Sequence, residues 1–208
     1  MSRILRRVAR KQINILGVDP SLRSTGYAYR TADGQLVTGT IDPGELTGPF
    51  RLFYIRKQMQ EIIAGTTFEL VIYEDYAMGM HGNVRSQFEQ AELGGILKTL
   101  FWENKINVML VAPKALKKAI TGRGDADSSK RVGKDKTKPE MRAALLQTFK
   151  IALSQNDEAD ACGLMLIGEL QTGCSNVAPE EQRKLKLDSL SACVTIRGRG
   201  NKLQLIAQ

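Results

Sequence analysis

The 208 residues carry 30 Lys and Arg against 22 Asp and Glu, a formal charge of +8 and an isoelectric point near 9.5, which points to a polyanionic partner. With 42% hydrophobic and 25% charged residues, 19 Gly and 6 Pro, the composition is that of one ordinary globular domain and excludes a low-complexity chain. No apolar run reaches the roughly 20 residues that span a bilayer. The three cysteines, Cys162, Cys174 and Cys193, show no CxxC spacing and read as reduced thiols in a cytoplasmic setting, Cys162 on a buried helix.

In chain order, residues 1–12 are Arg-rich, acid-free and without the apolar core of a secretory signal. They read as a basic arm, solvated or near nucleic acid, with a short transit peptide as the remote reading. The apolar run from Ile13 to Val18 predicts a central strand covered on both faces, and Asp19 ends it. Ser24–Arg30 and Leu36–Ile41 flank Ala32-Asp33-Gly34, where Asp-Gly signals a hairpin, so three antiparallel strands open the chain. A helix is predicted over 49–64, with Leu52, Ile55, Met59 and Ile62 at helical spacing and Gly65 as its stop. Leu70–Tyr73 is a fourth strand, ended by Glu74.

A polar loop with the single histidine, His81, leads to a helix over 84–103. Leu93, Ile96, Leu97, Leu100, Phe101 and Trp102 make that helix apolar on more than one face, with Gly94-Gly95 in its middle. Glycine inside a helix costs about 1 kcal/mol relative to alanine, so a close backbone approach is expected in return. Either the core is crowded there, or Gly94, Gly95, Leu97 and Phe101 face a second copy across a twofold axis. A fifth strand over 107–111, a short helix from Pro113, a long polar stretch, a helix over 139–149 and a final helix from Asp157 towards Leu170 complete the order. This order predicts an α/β fold: a mixed five-stranded sheet, three antiparallel strands then two parallel ones added by right-handed crossovers, with helices on both faces. Strands one and four are then neighbours, so Asp19 and Glu74 meet. Residues 13–170 form the domain and 171–208 an extension without an assigned role.

A carboxylate is poorly tolerated inside a buried strand, but at a strand's end it can meet a hard cation. Asp157 and Asp160, three apart, share a helix face. Any one of these acids is ordinarily a turn residue or an N-cap. All four in this order predict a four-carboxylate cage for two Mg²⁺ ions per site, with Mn²⁺ as a substitute, the arrangement of a two-metal nuclease. His81 reads as a solvated loop residue.

From Lys114 to Arg142 ten positive residues gather: Lys114, Lys117, Lys118, Arg123, Lys130, Arg131, Lys134, Lys136, Lys138 and Arg142. Asp125, Asp127, Asp135 and Glu140 offset them in part, and Gly122, Gly124 and Gly133 loosen the middle. A charge run of this kind is ordinarily a solvated loop. In a basic chain, leading towards the acids, it predicts contacts with phosphates that give affinity and not sequence readout.

These residues carry a resemblance. Gly17-Val18-Asp19-Pro20-Ser21-Leu22-Arg23-Ser24-Thr25-Gly26-Tyr27 resembles the opening G-x-D-P-x-x-x-x-T-G motif of RuvC-type Holliday junction resolvases. Val71-Ile72-Tyr73-Glu74 is similar to their second motif, and Asp157-Glu158-Ala159-Asp160-Ala161 to their closing D-x-A-D-A helix start. Pro113-Lys114-Ala115-Leu116-Lys117 and Lys138-Pro139-Glu140-Met141 resemble their basic segments, and Gln90-Ala91 lies sixteen residues after Glu74, as in their dimer helix. The resemblance spans about residues 13–170. It implies an RNase H-like fold, Mg²⁺-dependent cleavage of branched DNA (four-way junctions) by paired nicks, and a homodimer. By position, Asp19, Glu74, Asp157 and Asp160 take the metal-ligand roles and Lys117 and Lys138 contact DNA.

The chain departs from that pattern in three places. Ala77 stands where such resolvases often carry a Phe that stacks on an unpaired base, and Tyr76, one residue earlier, is the candidate replacement. The segment over 122–137 is long, and the tail after about 171 has no counterpart, additions that suit a bacteriophage enzyme by analogy. The competing readings are a less selective RNase H-like nuclease on flaps, RNA–DNA hybrids or precursor RNA, an actin-like ATPase or sugar kinase, and a non-catalytic DNA-binding module. The kinase reading lacks a second glycine-rich phosphate loop; the binding-module reading leaves four acids unexplained.

Overall fold

The computed structural model describes residues 13–76, 84–122, 138–173 and 195–196. Three strands come first: β1 (Ile15–Asp19), β2 (Thr25–Arg30) and β3 (Leu36–Ile41). They are followed by α1 (Gly48–Gly65), β4 (Leu70–Glu74), α2 (Val84–Glu103), β5 (Asn107–Val111) and α3 (Pro113–Thr121). Two helices, α4 (Lys138–Phe149) and α5 (Asn156–Thr172), and a two-residue strand, β6 (Thr195–Ile196), complete the order. Among these residues no helix is long and apolar enough to cross a membrane.

The sheet runs β3-β2-β1-β4-β5-β6. β1, β2 and β3 are antiparallel, while β4 joins β1 and β5 joins β4 in parallel, the five-stranded mixed arrangement expected of an RNase H-like fold. β6 is an addition that the sequence did not predict: it pairs antiparallel with β5, so the extension supplies a piece of the sheet's edge. β1 is buried at all five positions because helices cover both faces of the sheet's centre.

The pleat sorts side chains into two cores. Ile15, Ile72 and Met109 meet α3, α4 and α5 on one face, through Leu116, Leu145, Cys162 and Met165 among others. Leu16, Val18, Val71 and Tyr73 meet α1 and α2 on the other, through Ile55, Met59, Leu97 and Phe101. Burial pushes the Cys162 thiol up to about 12, so it is an inert core side chain; Cys174 and Cys193 lie outside the described residues.

Two glycines seat α5 on the sheet. A Cβ on Gly17 would overlap the Ala161 carbonyl oxygen and stand 2.6 Å from the Met165 nitrogen. One on Gly26 would overlap the Asp157 carbonyl oxygen and stand 2.6 Å from its carbon. Both obstacles are backbone, so α5 crosses β1 and β2 closely only because these positions lack side chains. At its far end α5 is tied down by an ion pair at 2.9 Å between Arg30 and the buried Glu169.

The helix α2 corrects one expectation. Leu97 and Phe101 are fully buried against the sheet within a single chain, and Gly94 is buried beside Tyr76, so these three do not face a second copy. The close approach that compensates Gly94 is the Tyr76 phenol: a Cβ on Gly94 would lie 2.8 Å from its ring carbon Cζ. Gly95 does face outward, with nothing within 4 Å of where its Cβ would be.

Candidate active site

The parallel register pairs Val18 with Tyr73, so the next residues along each strand, Asp19 and Glu74, fall side by side on the face covered by α5. Neither strand could hold such a charge further in; both place it at the carboxyl end, where the sheet opens. Asp19 is 8% exposed and Glu74 partly buried. A side-chain hydrogen bond joins Asp19 and Glu74. α5, seated by Gly17 and Gly26, then brings its first turn over this pair. The charge of Asp160 acts on both acids and that of Asp157 on Asp19.

Four like charges in one buried place must be relieved. Burial first, then the neighbouring carboxylates, hold the Asp19 carboxyl well above the usual carboxylate range. Burial pushes Glu74 up to about 7, opposed by the hydrogen bond with Asp19 and by the charge of Lys117, while Asp160 adds to the rise. Both carboxyls are thus pushed towards the neutral form by their burial. Among the described residues no three His, Cys, Asp or Glu side chains form a closed set of metal ligands. The predicted cage is thus a hydrogen-bonded pair flanked by two further charges. Its chemistry fits a hard divalent cation: every donor is a carboxylate oxygen, and positive charge would relieve the repulsion among them.

This arrangement sets a pH dependence. A Glu74 carboxyl held at about 7 against an ordinary 4.5 stabilises the fold while protonated, fully below pH 4.5, and that stability is lost as the pH rises through 7. In EDTA, the wild-type melting temperature should therefore match that of Glu74→Gln near pH 4.5 and fall below it by pH 7.5. A gap that stays constant across this window would show that Glu74 ionises normally.

Around the acids, Lys117 on α3 is half-buried and close enough for its charge to act on Glu74, while Lys114 and Lys118 are exposed on one face of the same helix. Lys138 is the first residue of α4. Arg123, Lys130 and Arg131, with Ala77 and His81, lie outside the described residues. Tyr76 is held against α2: its hydroxyl donates to the Ala91 carbonyl at 3.3 Å and accepts from Lys98 Nζ at 3.1 Å. That ammonium also sits 4.5 Å from the centre of the Tyr76 ring.

Two residues here escaped the sequence reading. Lys98, placed among helix apolars, gave no signal of its contact with Tyr76. Gln90 was noted only as part of a motif, yet its amide Nε2 donates to the Pro20 carbonyl at 2.7 Å, immediately after Asp19.

The chain matches the profile of the family described as crossover junction endodeoxyribonuclease RuvC over residues 15–166. The protein of that name from Chlorobium phaeovibrioides (strain DSM 265 / 1930) is 24% identical over 178 residues, covering 83% of this chain and 88% of that one. The one from Aliivibrio fischeri (strain MJ11) is 29% identical over 154 residues, covering 72% and 82%. Among solved structures, Thermus thermophilus RuvC superimposes with a TM-score of 0.53 at 20% identity, covering 77% of this chain and 97% of that one. T. thermophilus RuvC in complex with Holliday junction substrate gives 0.53 at 18% identity, covering 74% and 90%. At these identities the structures speak for the fold.

Proposed function

The chain belongs to the crossover junction endodeoxyribonuclease RuvC family, and on that premise we propose that it resolves four-way DNA junctions by metal-dependent hydrolysis of phosphodiesters. The observation that carries this reading is the Asp19–Glu74 pair at adjacent strand ends beneath the acids of α5. Asp19, Glu74, Asp157 and Asp160 are the residues that would hold Mg²⁺, two ions per site, with Mn²⁺ as a substitute. When bound, such ions activate the attacking water and stabilise the leaving oxygen of an in-line displacement. The chain's own residues hold the acids at the sheet's open end. Lys117, beside Glu74, meets the phosphate next to the cut, and Lys114, Lys118, Lys138 and the basic residues Arg123, Lys130 and Arg131 meet phosphates further away.

Cleavage of a mobile four-way junction, compared with linear duplex, flap and RNA–DNA hybrid, tests the reading. Paired nicks in the junction with Mg²⁺ and none in EDTA are expected. Equal cutting of flap or hybrid would favour the less selective nuclease, and one observation leans that way: the hydroxyl of Tyr76 is tied to α2, and Ala77 stands at the usual aromatic position. Lys117→Ala should weaken junction binding and flatten its salt dependence by about one phosphate contact. An unchanged slope in titrations at several salt concentrations would leave Lys117 without a DNA contact.

Paired nicks call for two active sites, and α1 and α2 offer a surface for a second copy. Between them runs a groove of about 640 Å³ lined by Leu52, Phe53, Gly95, Ile96 and neighbours, and the same two helices expose Phe50 (76%), Phe53 (66%) and Phe88 (67%). Exposed aromatics in this number mark an interface. Light scattering should give twice the 23.0 kDa chain mass. Gly95→Arg, at a position open enough to leave the fold intact, should reduce it to the monomer. A monomeric wild type at micromolar concentration would remove the dimer.

A further inference from the structure

The helix α2 has three faces with three different neighbours. Leu93, Leu97, Leu100 and Phe101 enter the core, and Gly95, Ile96 and Thr99 line the groove. Gln90, Gly94 and Lys98, spaced four apart, form the third. That stripe reads polar, small, cationic, and each member meets a residue one or two positions past an acid-bearing strand end. Gln90 holds the Pro20 carbonyl at 2.7 Å; Gly94 leaves room for Tyr76; Lys98 donates to the Tyr76 hydroxyl at 3.1 Å.

The two grips are placed for leverage. Pro20 follows Asp19 directly and opens a loop that braces itself: the Ser21 amide donates to Thr25 Oγ1 at 3.2 Å and the Thr25 hydroxyl to the Ser21 carbonyl at 2.7 Å. These bonds close the loop on itself, and Gln90 ties it to α2. On the other side Asp75 continues the ladder to the Val111 carbonyl at 2.8 Å, and Tyr76, two residues past Glu74, is bonded at its hydroxyl to both Ala91 and Lys98.

We propose that α2 is a two-point clamp on the catalytic strands, with Gln90 and Tyr76 as positioning residues that fix the spacing of Asp19 and Glu74. The inference rests on the metal-dependent cleavage proposed above and assigns Tyr76 a task through its hydroxyl, distinct from stacking through its ring. Ions about 4 Å apart tolerate little drift in their ligands. Because the groove face lies on the same helix, the element expected to meet the second copy is also the one that grips the acids.

Gln90→Met keeps the length and loses the donor; Tyr76→Phe keeps the ring and loses both hydroxyl bonds. Single-turnover cleavage of a four-way junction at saturating enzyme, junction affinity in EDTA, and the rise in melting temperature caused by Mg²⁺ alone are to be measured for each. Each variant should cut roughly ten- to a hundredfold more slowly, the range that an ångström of misplacement produces. Each should also lose most of the Mg²⁺-induced rise while binding the junction within about twofold of wild type. Tyr76→Phe cutting at the wild-type rate while Tyr76→Ala does not would assign the ring to stacking and overturn the clamp. Losses that track a fall in melting temperature, with the Mg²⁺ response unchanged, would reduce both residues to ordinary fold contacts. A wild type that neither cuts the junction nor responds to Mg²⁺ overturns the proposed function itself; a wild type that does both, beside unaffected variants, overturns the clamp alone.

Discussion

Asp19→Asn should bring junction cleavage below about one per cent of wild type while leaving the fold intact and junction binding equal or tighter. The substitution keeps the shape of the side chain and removes only its ability to carry charge. Burial and three neighbouring carboxylates hold the Asp19 carboxyl above its ordinary range, and a neutral asparagine amide can keep a hydrogen bond with Glu74. Lost activity would therefore not come from lost structure. What disappears is one negative ligand, and a site that assembles divalent cations depends on each charge it offers. The neutral amide adds no charge facing the phosphate backbone, hence the unchanged or improved binding. Cleavage with Mg²⁺, anisotropy in EDTA and a melting curve on one preparation separate these effects. Retention of more than a few per cent of the cleavage rate would sink the four-acid site.

The parts of the molecule legible in sequence are those written in short-range rules. Apolar runs bounded by turn residues placed β1, β4 and β5, and the limits expected for α2 and β5, 84–103 and 107–111, agree with those observed. The meeting of Asp19 and Glu74 followed from topology, since a right-handed crossover puts β4 beside β1. Helical spacing shows which residues share a face, but not which partner that face receives. Hence α2 was left with two readings, a crowded core or an interface through Gly94, Gly95, Leu97 and Phe101, and in the structure Gly94, Leu97 and Phe101 meet Tyr76 and the core. Tyr76 looked like a free aromatic because its hydrogen bonds come from residues fifteen and twenty-two positions away. β6 was missed because two residues pairing across a distance of more than eighty positions leave no periodic trace. In the structure Asp19 and Glu74 are joined by a side-chain hydrogen bond, the charge of Asp160 acts on both and that of Asp157 on Asp19.

Gly26 carries the largest expected effect outside the acids. Gly26→Ala should lower stability by about 1–3 kcal/mol, the usual range for overpacking a well-filled interior, and should slow cleavage by roughly a hundredfold. An added Cβ would overlap the Asp157 carbonyl oxygen and lie 2.6 Å from its carbon and 3.3 Å from its Cα. A side chain in that place could rotate away, but the first turn of a helix cannot. Either α5 lifts from β2, carrying Asp157 and Asp160 with it, or β2 bends and disturbs Asp19, its neighbour in the pairing with Gly26. Both outcomes move acids relative to each other by something like an ångström, which is why the rate should suffer more than the fold. Gly65→Ala, at a glycine with nothing within 4 Å and no positive φ, is the matched control and should leave rate and melting temperature near wild type. Melting curves and single-turnover rates for the two variants decide the matter. A Gly26→Ala protein as fast as Gly65→Ala would mean that α5 can back away without moving its acids, and that the close crossing seen here does not set the site's geometry.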